Sequence, residues 1–125
     1  MVKQIVAAAV IFLLLIGLGL TEMFVVRDNF SALEKEFTEM SVKIQEETLT
    51  EEEYNLIWKD WKKRRETVEF FLNHTDFAEM DFRMAECHAY IKQGNYQDAA
   101  AQADVLTELA RHIPHLLIPT PEHIL

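Results

Sequence analysis

The sequence predicts an all-α chain in which an apolar N-terminal helix runs on into a small antiparallel helical bundle. Three observations predict it. Residues 5–20, IVAAAVIFLLLIGLGL, are sixteen successive residues without a charge or a strongly polar group. Met23, Val26, Phe30, Leu33, Phe37, Met40 and Ile44 then step by three and four, which keeps them on one stripe of a helix for three heptads. No stretch alternates with period two, so no strand is expected.

The apolar run is expected to be a membrane anchor over residues 1–26. Sixteen residues rise only about 24 Å, less than a hydrocarbon core of about 30 Å, but residues 5–26 would rise about 33 Å. Glu22 would then lie at the interface, where a carboxylate reaches headgroups and water. The rival reading is a cleaved signal peptide, with Lys3 as its positive region and Gly17-Leu18-Gly19 as its small residues. The helical pattern continues through that site without a polar, turn-forming break, which favours the uncleaved anchor. A short positive segment before an acidic domain resembles a signal anchor, placing the C-terminal domain outside the cytoplasm.

The rest, residues 27–125, is expected to be one helical bundle. With no Pro or Gly between Leu20 and Leu49, the anchor and the first soluble helix should form a single rod. Thr50-Glu51-Glu52-Glu53 is a capping box, in which Thr50 accepts a backbone N–H and Glu53 reaches back. It opens a second helix expected to run to about Leu72, with Tyr54, Ile57, Trp58, Trp61, Val68, Phe71 and Leu72 on its apolar side. Asn73-His74-Thr75 should break it, and Asp76 with Glu79 caps a third helix through Phe77, Met80, Met84, Cys87 and Ile91. Gly94-Asn95 ends that one, and a fourth runs from about Tyr96 to His112, where Pro114 stops it. The tail from about 113 is expected to be extended, with Leu116, Leu117 and Ile124 packing across the bundle.

Charge excludes some partners. From Arg27 onward there are 11 Lys and Arg against 20 Asp and Glu, so this part carries the whole net charge of −9. Nucleic acid and anionic lipid repel such a domain. The single cysteine, Cys87, allows no internal disulfide and reads as a small core residue.

Four features could carry function. AYIKQGNYQDAA, residues 89–100, resembles the turn of a tetratricopeptide repeat through Tyr90, Gly94, Tyr96 and Ala99, with Cys87 in a small-residue place. Arg83 and Glu86 stand where that repeat needs large apolar residues, and the chain has no second copy, so a lone hairpin turn at Gly94 and Tyr96 is expected. The basic cluster WKDWKKRRE offers Trp58, Lys59, Trp61, Lys62, Lys63, Arg64 and Arg65 as candidate partner-binding residues. Counting along the rod sets it roughly 20 Å from a bilayer surface, beyond a Debye length of about 8 Å. Charge matching against Glu34, Glu36 and Glu39 on the neighbouring helix is its simpler explanation. His112 and His115 have a metal-ligand spacing, but Pro114 lies between them and no acidic or cysteine ligand stands at a fixed interval. The 23–44 stripe could also pair with a second copy as a homodimeric coiled coil. With no nucleophile–base motif, phosphate loop or paired catalytic carboxylates, neither an enzyme nor a cofactor is expected.

EETLTEEEYNLIWKDWKKRRE, YIKQGNYQDAAAQADVLTELARHIPH and the terminal PEHIL together resemble a bacterial family described as domain of unknown function 4363. The resemblance implies a short membrane-anchored helical protein in a bacterial membrane setting and brings no catalytic residues with it. The reading that follows is a protein-interaction module, accessory to another membrane protein, with lipid around its anchor. A structural homodimer is the alternative, and a metal-binding or enzymatic domain ranks last.

Overall fold

A computed structural model describes residues 1–72 and 74–114, and within them the chain is helical with no strand. The four helices are α1 (Val2–Gln45), α2 (Glu51–Val68), α3 (His74–Lys92) and α4 (Tyr96–His112). The expected C-terminal packing of Leu116, Leu117 and Ile124, and both His115 and His123, lie outside the described residues.

α1 is a single helix of 44 residues, about 66 Å long. Its character changes halfway. Ile5, Ile11, Phe12, Leu13, Leu14, Leu15, Leu18 and Leu20 are all exposed. From Val26 the stripe closes, and Val26, Phe30, Leu33, Phe37, Met40 and Ile44 are buried. Lettering the heptads with Met23 as position a explains the two polar edges as well. On the g edge, Asn29 meets Arg64 and Lys43 meets Glu53, both on α2. On the e edge, Glu34 meets Arg111 at 3.0 Å and Ser41 donates to Asp104 at 2.6 Å, both on α4. One helix therefore offers a seam to the core and a separate edge to each neighbour.

Residue size sets the packing distances. α4 buries Ala99, Ala100, Ala103 and Ala110, so its backbone comes close to α1 and α3. α2 stands farther off and fills the gap with Tyr54 and Trp61. Their polar tips are satisfied across the core: Tyr54 Oη donates to the Met84 carbonyl at 2.8 Å, and Trp61 Nε1 donates to Asp81 Oδ1 at 2.7 Å.

The hairpin turn follows its sequence. Gly94 has φ +74°, and the Asn95 N–H bonds back to the Tyr90 carbonyl at 2.9 Å. That is the Schellman arrangement, and glycine adopts it without a side-chain clash. Tyr96 packs against the core behind the turn. The end of α1 makes the same closure with no glycine. Glu47 takes φ 59°, and the Thr48 N–H bonds to the Lys43 carbonyl at 2.8 Å.

The end of α2 departs from expectation. α2 stops at Val68, and α3 already begins at His74, so the reversal falls in the segment after Glu69. Extending α2 to Leu72 would leave no chain to turn. Leu72 still packs against the core, but Phe71 is on the outside and Phe70 is 86% exposed.

The strained Glu47 is testable. Replacing it by glycine removes the left-handed penalty, and Glu47→Gly should raise stability by about 0.5–1 kcal/mol in urea unfolding of the detergent-solubilised chain. A loss of stability would mean that the Glu47 side chain holds the turn.

Candidate functional site

The basic cluster lies on α2, and the structure divides it. Trp61 is fully buried under its Asp81 bond. Arg65 pairs with the other Asp81 oxygen and lies 5.7 Å over the Phe77 ring. Arg64 bonds Asp60 at 2.7 Å and Asn29 at 3.0 Å. Charge matching is thus real for both arginines: their ion pairs are to Asp60 and Asp81, and the expected Glu36 also feels the Arg64 charge. Glu34 is turned to α4. What remains open to solvent is Lys59, Lys62 and Lys63, beside a half-buried Trp58 whose ring carries Lys62 Nζ at 4.9 Å from its centroid.

The Arg64–Asn29 and Lys43–Glu53 contacts set Lys62 level with residues 31–34, roughly 14–18 Å from the level of Glu22 and close to the expected height.

Behind the arginines lies a carboxyl pair that the sequence reading missed. Glu36 occupies the g edge between Asn29 and Lys43 and meets Asp60 of α2. Burial pushes the Glu36 carboxyl up to about 8, with a hydrogen bond to Asp60 and the Asp60 charge adding to the rise against the Arg64 guanidinium. Its Oε2 is buried and has no hydrogen-bond partner, whereas a protonated carboxyl can donate to Asp60. Burial also raises Asp60, but the Glu36 bond and the Arg64 guanidinium outweigh it and hold that carboxyl below its usual range. The signal was available in the heptad lettering, because an acid on an edge that faces another helix must be matched or protonated.

The remaining candidates are structural in position. Cys87 is fully buried, its Sγ lies 3.4 Å from the Ala99 carbonyl, and burial pushes its thiol up to about 12. His88 stacks on Tyr54 with ring centroids 4.3 Å apart and meets Glu51 at 2.7 Å. His112 is exposed at the end of α4. No cluster of His, Cys, Asp and Glu that could hold a metal occurs among the described residues. Between α1 and α4 runs an open groove of about 390 Å³, edged by Phe24, Arg27, Asp28, Glu34 and Arg111. Its Arg111 is already paired with Glu34 and Glu108.

A match to the family described as "Domain of unknown function (DUF4363)" spans residues 23–124. The chain belongs to this DUF4363 family. The matched span starts where the heptad stripe starts and takes in the second half of α1 with all of α2, α3 and α4, leaving out the apolar run of residues 5–20. No curated protein and no solved structure matches the chain.

The Glu36 carboxyl predicts a pH dependence. A folded-state value of about 8 against an ordinary 4.5 means that the folded chain keeps a proton which the unfolded chain loses. Its contribution is full below about pH 4.5 and is lost as pH rises to about 8. Asp60 acts in the opposite sense only below its ordinary value of 3.8, outside that window. Glu36→Gln should therefore flatten the fall in stability between those limits and unfold at higher urea than the parent at pH 8. Parallel curves for the two proteins would refute the assignment.

Proposed function

We propose that this DUF4363 protein is a single-pass membrane protein whose acidic helical bundle is a protein-interaction module, accessory to another membrane protein. The observation that carries the reading is the division of α1. Its first half is long and apolar enough to cross a bilayer and is largely exposed, while its second half supplies the core of the bundle. Exposed Leu, Ile and Phe over that length are unfavourable in water and suited to lipid. A signal-anchor orientation with the bundle outside the cytoplasm is proposed from the short positive segment at Lys3, which Arg27 and Lys35 after the span nearly balance.

The residues proposed for contact are Trp58, Lys59, Lys62 and Lys63, which form the open part of the basic cluster in an otherwise acidic domain. They suit an acidic segment on a partner. The homodimeric coiled coil has less support, since its stripe is already buried within one chain and α4 would have to leave to free it.

Photo-crosslinking from position 59 or 63 of the full-length chain in native membranes tests the reading. The expected result is a discrete adduct with a different membrane protein, lost when Lys59, Lys62 and Lys63 are changed to Glu. Adducts of the chain with itself alone, or a protein washed from the membrane by alkaline carbonate, would overturn it.

A further inference from the structure

The two ends of the bundle differ in what they present. At the end far from the apolar half of α1 are the turn after Gln45, with Glu46, Glu47 and Thr48, and the turn at Gln93-Gly94-Asn95, all polar apart from the glycine. At the near end is the α2–α3 turn, where Phe70 is 86% exposed and Phe71 is 37% exposed. Two adjacent phenylalanines on a turn are a poor choice for a surface that meets only water.

Their height can be read from the helix register. Arg64 is held to Asn29 by a 3.0 Å hydrogen bond between antiparallel helices. Four more residues bring α2 to its end at Val68, about 6 Å nearer the apolar half of α1; taken with the Lys43–Glu53 contact, this is level with residues 25–28. Phe70 and Phe71 follow in the turn and come level with residues of about 22–26 on α1. Phe24 of α1, itself 76% exposed, lies at the same height. Because α1 is one uninterrupted helix, this level is fixed relative to the apolar run.

We propose that the α2–α3 turn is a second membrane contact, with Phe70 and Phe71 inserted in the bilayer interface beside α1. The occupant of this surface is lipid, because the turn is continuous with the proposed span and shares its level. The inference rests on the membrane-anchor reading above. The contact is apolar in kind, since Glu66 and Glu69 flank the phenylalanines and offset the nearby lysines. It therefore needs no anionic lipid and survives salt, unlike attachment by a basic patch. Two points of attachment would hold the bundle against the bilayer and stop it turning about the axis of α1, so that Lys59, Lys62 and Lys63 face a constant direction.

The test uses full-length protein in which the buried Cys87 is replaced by serine, reconstituted at one chain per lipid nanodisc of pure phosphatidylcholine. Single nitroxide labels at positions 12, 70 and 82 are compared by collision with oxygen and with a water-soluble nickel chelate. Phe82 is 69% exposed on α3 and serves as the wet reference. Circular dichroism of each labelled chain confirms that the helices are kept. The expected result is a lipid signature at 12 and 70, high in oxygen and low in chelate, with a water signature at 82, unchanged in high salt. A lipid signature at 12 with a water signature at 70 overturns the second contact while leaving the anchor standing. A water signature at 12 overturns both. Single-chain nanodiscs of one lipid exclude a protein partner as the cause of a dry position 70.

Discussion

A helix with no interruption curves gently but does not kink sharply, and α1 has no Pro or Gly from Thr21 to Gln45. The rest of the structure depends on that continuity. Whatever surrounds the apolar half determines where the bundle stands and which end of it comes near. The bundle has no hinge at the junction: Val26 is already fully buried, and the core begins where the exposed apolar run ends. In the proposed membrane setting this makes the domain a fixed extension of its anchor.

The same helix organises the domain through its heptad. Positions a and d form the core seam, the g edge carries Asn29, Glu36 and Lys43 to α2, and the e edge carries Glu34 and Ser41 to α4. The difference between the edges is chemical. Contacts with α4 include the short Ser41–Asp104 bond beside an alanine-rich face that allows close approach. Contacts with α2 bridge a wider gap and include a carboxyl pair that is stable together only with a proton between them. Packing distance and proton binding thus follow from which edge a residue occupies.

Much of this was legible in the sequence. The heptad stripe gave the seam of α1, Gly94 and Tyr96 gave the last turn, and Tyr96–His112 came out with the bounds the structure has. What was not legible depended on register between helices. The end of α1 at Gln45 has no glycine to mark it, and of the glutamates expected to face the basic cluster Glu36 does so, whereas Glu34 is turned to Arg111 on α4. The end of α2 was hidden because Phe70, Phe71 and Leu72 continue an apolar pattern, although only Leu72 turns inward. Composition made WKDWKKRRE look like one patch, whereas helical geometry turns Trp61, Arg64 and Arg65 inward and leaves three lysines outside. Family membership, shown over residues 23–124, leaves the chemistry of the site to the residues themselves.

The central claim is that the apolar run and the bundle share one rigid helix, and the distance across the junction tests it most directly. Spin labels at Leu20 and Glu39, both exposed, are separated by nineteen helical residues, or about 28 Å. Pulsed dipolar spectroscopy on the full-length chain in lipid nanodiscs should give one narrow distance distribution near that value. A broad distribution, or one centred several ångströms shorter, would mean that α1 bends at the junction and that the bundle moves independently of its anchor.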